Sequence, residues 1–584
     1  MTIRLQVTIA GTMSERRLEK QTEVVAHSGP RGLFWVVIAV TTLTFLPALA
    51  NDFVNWDDDV NFLENPDYRG LGVKQVAWGA STFLLGHYHP LTWFTLSLDY
   101  AIWGLDPFGY HLTNLLLHGL AAGLVFLLFK EWLGLALQRA TAATVWAAAF
   151  GALLFAVHPL RVESVAWASE RRDVLSGVFV VATLLLYTRR RTGWALVAFC
   201  AALMSKVIAV TLPIVLLLID WYPLRRRVSA RLFLEKWPFV LASTAAAWVA
   251  LGRYESGVLG SVADLGLYPG LRVAFSLFGP AFYVFKTFAP WNLAPQYVWA
   301  TAPSAFDPLL MVGGSFVLVL SAAAWGWRRR FPGFFTAWAA MIVTLLPVLS
   351  IVRLDRQQFV ADHHSYMAML GVAAILAGGW IGLYDRGRRA ASVGAAVVVL
   401  VLAGLTVRQI GFWRDSETLW SHALEVSPLS VTAHNNLGRA VAARGDSAGA
   451  VAHFRRATEL EPRFAQAHYN LGSVLMGNGE LESALRSLLK AVEIQPASAQ
   501  IRSDLGNCYL RLRRTSEALR EYEAALELDP AFSDARFNYA LALELSGRQE
   551  AALVNYELVT RSQPSNRDAW LAVERLKARG ADKD

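Results

Sequence analysis

The chain has 584 residues, of which 55% are hydrophobic and 17% charged, with a formal net charge of +8. That composition excludes a single soluble domain of ordinary size. The positive balance is what Lys and Arg in the cytoplasmic loops of any polytopic protein produce, so it does not point to nucleic acid, and the two cysteines, Cys200 and Cys508, exclude a disulfide framework.

Residues 1–30 are polar, carry Arg4, Arg16, Arg17 and Lys20, and read as a cytoplasmic tail. The apolar run 33–50 has no cleavage pattern and reads as a retained first span. Apolar runs long enough to cross about 30 Å of hydrocarbon then recur. Candidate spans are 33–50, 111–129, 141–157, 173–188, 193–205, 207–219, 237–251, 308–326, 334–350, 366–384 and 391–407. Basic clusters at "TRRRT" (188–192), "PLRRRVSARLFLEK" (223–236), "WRRRF" (327–331) and "DRGRR" (385–389) anchor the cytoplasmic side. Residues 193–219 lie between two such clusters and must cross an even number of times, which predicts two short helices turning at Ser205-Lys206. The alternative is one long helix broken by a buried lysine. Parity leaves the apolar stretch 270–289 no full crossing, so it reads as re-entrant or interfacial. The result is about eleven helices over 31–410, with the N-terminus inside and the C-terminal part outside.

This threading brings the segments 51–110, 158–172, the Lys206 turn, 252–307 and 351–365 to the outer face. The first, a large loop, carries Asp57, Asp58 and Asp59. The others carry Arg161, Arg171, Arg172, Lys206, Arg353 and Arg356, with His158, His363 and His364 beside them. Neutralisation by Glu163, Glu170, Asp173, Asp355 and Asp362 is the plain reading of any one cation. As a set, costly ionisable groups at membrane depth mark a functional site. Lys206 has no acidic neighbour in sequence, which predicts an anion from elsewhere, such as a lipid phosphate. A carboxylate beside such a site suits a general base for an attacking hydroxyl, while the cations suit a departing phosphate. Asp57 and Asp58 are the candidates. The same aspartates also suit a divalent cation or the cap of a helix starting near Val60. His89-Pro90 and His158-Pro159 read as interfacial turns or as donor-pocket lining with Arg161. Asp99 and Asp106 read as solvent-facing or locally paired, and Glu163 as orienting a cation or contacting a sugar. The sequence has no glycine-rich phosphate loop, zinc-ligand spacing or nucleophile elbow.

Beyond about residue 410 a 34-residue period takes over. Pro428, Pro462, Pro496, Pro530 and Pro564 form one column. Ala450, Ala484, Ala518 and Ala552 form another, and Ala423, Ala457, Ala491 and Ala525 a third. Leu437-Gly438, Leu471-Gly472 and Leu505-Gly506 run in register, as do the knobs Phe454, Leu488, Tyr522 and Tyr556. The spacing resembles the tetratricopeptide repeat, whose helix pairs stack into a superhelix with a concave groove. About four full units are expected within 411–580, after a half unit holding Trp413 and Trp420. Asn436, Asn470, Asp504 and Asn538 occupy one equivalent position, either to hold helices together or to grip an extended acceptor peptide.

Collinear stretches carry a wider resemblance: "FVNWDDDVNFLENP" (53–66), "HPLTWFTLSLDYAIWGLDPFGYHLTNLLLH" (89–118), "HPLRVESVAWASERRDVLSGVF" (158–179), "MSKVIAVTLPIVLLLIDWYP" (204–223) and "ADHHSYMAMLGV" (361–372), followed by the repeats. In these the chain resembles the transmembrane and tetratricopeptide-containing O-mannosyltransferases and their bacterial relatives, within the GT-C glycosyltransferases. The resemblance implies an all-α fold, a GT-C-type transmembrane bundle followed by an α-solenoid. It also implies an inverting enzyme that uses a polyprenyl-phosphate sugar, mannose among the candidates, on the non-cytoplasmic face. Its catalytic acidic residue would match Asp57 or Asp58. Lys206, Arg171, Arg172, Arg356, His363 and His364 would hold the donor phosphate, and the acceptor would be a Ser or Thr hydroxyl of a protein or peptide bound by the repeats. For a bacterial source this places the chain in the inner membrane with the repeats in the periplasm. Two departures stand out: three aspartates replace an acidic pair, and "ADHHSY" replaces an acidic–arginine pair. The rival reading is a membrane-anchored scaffold without chemistry, in which Asp57 or Asp58 and Lys206 would point apart.

Overall fold

A computed structural model describes residues 32–138, 141–252, 269–299, 304–350 and 359–581. Among these residues all regular structure is helical, and the chain divides into two compact units, 1–427 and 428–584. Residues 411–427, grouped with the repeats by sequence period, cluster with the first unit.

Among the described residues of the first unit five helices are long and apolar enough to cross a membrane: Leu33–Ala50, Pro107–Leu137, Pro308–Gly326, Asp362–Arg386 and Arg388–Gly411. A sixth is obtained if Ala142–Ala156 and Pro159–Ala166, bent by 57°, are one span. The other expected spans are helices too, but they are shorter or more charged, such as Arg171–Thr188 and Trp237–Gly252. These are the helices of a membrane protein. Exposed Trp35, Leu43, Leu116, Val312 and Leu400 lie on helices of that group, a surface that suits lipid rather than water.

Local chemistry explains where the elements begin and break. Asp106 accepts from the Phe108 N–H at 3.0 Å and Pro107 follows it, an N-cap and first-turn pair that starts the 31-residue helix Pro107–Leu137. Lys206 takes an extended conformation (φ −156°, ψ 126°) between Thr192–Ser205 and the turn Val207–Thr211, so residues 193–219 form two helices rather than one. Residues 270–289 form the helix Pro269–Phe288, which is not among those apolar enough to cross.

Two segments expected as loops are built of helices and turns. Residues 51–110 contain helices Val73–Ser81 and Pro90–Trp103, built around buried Phe62, Tyr68, Trp93 and Tyr110. Residues 158–172 form three short helical turns in which every residue is buried. A backbone that cannot reach water must satisfy its own hydrogen bonds, which accounts for the helical turns there.

In the second unit four helix pairs run from Val431–Ala443 to Gln549–Ser562, followed by Arg567–Ala581. The sequence columns become contacts. A Cβ on Gly438, Gly472 or Gly506 would lie 2.6, 2.7 or 2.8 Å from the side chain of Phe454, Leu488 or Tyr522, so each glycine is the hole its knob fills. Helix pairs turn at Gly445, Gly479 and Gly547, all with positive φ; the residue in register between them is Arg513, at φ 63°.

Candidate active site

The aspartate triplet separates by role. Asp58 is 0% exposed. One of its oxygens accepts from the Val54 N–H at 3.0 Å, and the other from the Ser169 N–H at 3.0 Å and the Ser169 hydroxyl. Asn61 donates to that hydroxyl at 2.9 Å. Asp58 therefore ties the 54–61 turn to the turn at Ala168–Glu170. Asp59 accepts from the Val60 N–H and opens the wide helical turn Asp59–Leu63, with no side-chain cap from Asp58. Asp57 is left half-buried on the wall of a cavity of about 420 Å³.

That cavity is also lined by Trp56, Trp167, Arg172, Lys206, His363 and His364. The Lys206 Nζ lies 2.9 Å from the Glu170 Oε2 and 2.6 Å from the Asp173 Oδ1. The absence of an acidic neighbour in sequence is thus misleading, because its partners come from the buried turn Ala168–Glu170 and the start of the helix Arg171–Thr188. The Arg172 Nε donates to the Glu170 Oε1 at 2.8 Å, so one carboxylate holds both cations at the cavity wall. Burial works to raise the Glu170 pKa, yet the Arg172 guanidinium and the Lys206 ammonium hold it well below the usual range. Glu163 receives the His363 backbone N–H and sits against its Nδ1, both at 2.9 Å, which fixes the ring at the cavity edge. Burial pushes the Asp57 carboxyl up to about 6, opposed by Arg172 and reinforced by Glu170 and Asp59. Burial pushes Asp58 up to about 7, against three donors that favour its charged form.

Other expected ligands lie elsewhere. Arg171 is buried against Asp99 at 2.6 Å, the Tyr110 carbonyl at 2.8 Å and Asn114. Asp99 is accordingly neither solvent-facing nor locally paired, since its partner is 72 residues away. Arg161 binds the Ser365 hydroxyl and lies over the Phe155 and Tyr366 rings. His158 bonds to the Thr287 carbonyl at 2.9 Å. His89 stacks on Trp93, and burial lowers its pKa to about 3. None of these four lines the charged cavity. Arg353 and Arg356 lie outside the described residues, as does the 1–30 tail. A divalent cation at Asp57/Asp58 does not fit: both Asp58 oxygens are committed to N–H and O–H donors. Among the described residues no three His, Cys, Asp or Glu side chains converge as a metal site requires.

A second, apolar cavity of about 630 Å³ lies along some of the same elements. The charged cavity reaches Ile208, Val348 and His364, and the apolar one begins at Leu212, Thr344 and Met367. It runs past Ile375 to Gly379, about 18 Å of helix at 1.5 Å per residue.

In the repeats three of the four equivalent polar residues bond between units. Asn470 donates to Asn435 at 2.8 Å, Tyr469 to Asp504 at 2.7 Å, and Asn538 to Asn507 at 3.0 Å. Asn436 is buried and accepts from Asn435. These bonds serve stacking of the units. The residues that sequence reading missed are aromatic and neutral: Trp56, Trp167, Asn61 and Ser169. Their signal was present in "NWDDD" and "VAWASE", where tryptophans border the charges.

The fold is therefore a helical membrane unit joined to a tetratricopeptide array, and the tetratricopeptide-repeat family model matches 401–462, 442–499 and 503–567. Similarity to named proteins is broader. A protein O-mannosyl-transferase of Caenorhabditis elegans is 24% identical over 427 residues, covering 70% of this chain and 60% of the relative. The protein O-mannosyl-transferase TMTC4 of Mus musculus is 25% identical over 503 residues, covering 72% and 66%. The chain thus spans somewhat under two thirds of the length of these relatives. Among solved structures, the tetratricopeptide protein YrrB is 22% identical and matches 29% of this chain and 87% of its own, with a TM-score of 0.27.

Proposed function

We propose that the chain is a membrane glycosyltransferase of the O-mannosyl-transferase kind, moving a sugar from a polyprenyl-phosphate donor to a Ser or Thr hydroxyl of a protein or peptide. The observation that carries this reading is that Asp57, Arg172 and Lys206 line one cavity. The acceptor oxygen attacks the anomeric carbon and its proton passes to the Asp57 carboxylate. The bond from that carbon to the phosphate oxygen breaks with inversion, and the departing phosphate keeps the electron pair beside Arg172, Lys206 and His364. The apolar cavity on neighbouring residues of the same elements supports a prenyl tail, since burying such a chain is favourable while its head stays among charges. The repeats would present the acceptor, on the periplasmic or other non-cytoplasmic side.

The test is incubation of the purified full chain with radiolabelled polyprenyl-phosphate mannose and glucose and a Ser/Thr-rich peptide. Label in the peptide is the expected result. No transfer to any acceptor, with the peptide still bound, would favour the non-enzymatic scaffold.

A further inference from the structure

Two tryptophans on the cavity wall have no role in the mechanism above. Trp167 is only 2% exposed, and its indole N–H has no acceptor among the described residues. A buried indole N–H ordinarily finds a partner, so one left over beside a cavity points to an acceptor supplied by the ligand. Trp56 is half-buried on the same wall, its ring centroid 6.0 Å from that of Trp167.

Both rings are braced from behind. Trp167 stacks on Trp413 at 5.9 Å, and Trp56 meets the edge of Trp420 at 5.0 Å. The Trp420 N–H donates to the Asn55 side chain at 2.6 Å, next to Trp56 in sequence. The Asp52 N–H donates to the Arg414 carbonyl at 2.8 Å, and the Asn55 N–H to the Ser416 hydroxyl at 2.9 Å. The rings are therefore held rigidly, as recognition without ordering cost requires.

We infer that Trp56 and Trp167 form the glycosyl subsite of this cavity, Trp56 stacking on the sugar ring and the Trp167 N–H donating to one of its hydroxyl oxygens. This inference rests on the transferase reading above and adds to it the residues that read the sugar. A hexose has an apolar C–H face with slightly positive hydrogens, which suits the negative face of an indole. Its hydroxyls provide the acceptor that Trp167 lacks. Because Trp56 precedes Asp57, the residue that seats the sugar and the residue that takes the proton sit on one short turn. The cations Arg172 and Lys206 are left to the phosphate.

The experiment measures calorimetric binding of methyl citronellyl phosphate, a bare phosphate diester with the same single charge as the donor, and citronellyl-phosphate mannose to the full chain in nanodiscs, for wild type, Trp167→Phe and Trp56→Leu. Wild type binds the mannosylated compound about tenfold more tightly than the bare phosphate, the order expected of one hydrogen bond plus a stacked ring. Trp167→Phe, which keeps the ring and removes the N–H, lowers that preference about fivefold. Trp56→Leu, at a half-buried position that folding tolerates, removes most of it, and both variants keep the bare-phosphate affinity within about twofold. Equal preference in all three proteins, or no preference in wild type, overturns the subsite. Failure of wild type to bind either compound sinks the transferase reading on which it stands.

Discussion

The Asp57 carboxyl is the most informative group to perturb. Its pKa of about 6 arises from burial, with Arg172 holding it down and Glu170 and Asp59 pushing it up. A general base works only when deprotonated, so kcat/KM rises as pH rises through that value and levels off above it. Roughly nine-tenths of the population is ionised at pH 7 and roughly one-tenth at pH 5, a difference of about tenfold. The donor is a phosphodiester and stays singly charged across this range, so it does not contribute to the slope. Initial rates of transfer at subsaturating donor, read from pH 5 to 8, measure the profile. Asp57→Asn lowers the rate about 10²–10⁴-fold and abolishes the pH step. Arg172→Gln removes the cation that stabilises the carboxylate and moves the step to higher pH. A flat wild-type profile, or an Asp57→Asn protein as active as wild type, would refute the assignment of Asp57 as base.

Four further outcomes follow, two from buried charges and two from the repeats. Asp58 titrates near 7 in the folded chain because burial outweighs its three donors, whereas an unfolded aspartate titrates near 3.8. The folded state therefore holds the proton more tightly; the stabilisation is complete below pH 3.8 and is lost as pH rises through about 7. A Tm that falls more steeply between pH 4 and 7 in wild type than in Asp58→Asn meets this expectation, and identical slopes contradict it. Arg171→Met leaves the Asp99 carboxylate buried without its cation and costs about 3–5 kcal/mol, seen as loss of folded protein in detergent; near-wild-type stability would mean that the pair is not a buried ion pair. In the repeats, Gly472→Ala forces a Cβ to 2.7 Å from Leu488 and costs about 1–3 kcal/mol in amide exchange of helices Ala465–Gly477 and Leu481–Ile494. Arg513→Gly, at a left-handed turn where the other repeats carry glycine, stabilises its repeat by about 1 kcal/mol; a loss of protection there would refute the strain argument.

Much of this protein is written locally. A 34-residue recurrence of proline, alanine and leucine-glycine determined the register of the repeats, because each unit uses the same small-residue contact between its helices. Runs of apolar residues determined which helices suit a membrane, because length and hydropathy are properties of a segment alone. The break at Lys206 was legible from charge parity. Pairing of the charges was not. Arg171 finds Asp99 across 72 positions, and Lys206 finds Glu170 in a segment that reads as a loop and Asp173 at the start of a helix. Nor does the string DDD distinguish the Asp58 that ties two turns together from the Asp57 that faces the cavity. Those choices depend on which groups are removed from water together, and the cost of burying a charge is decided by neighbours that only the folded chain brings into reach.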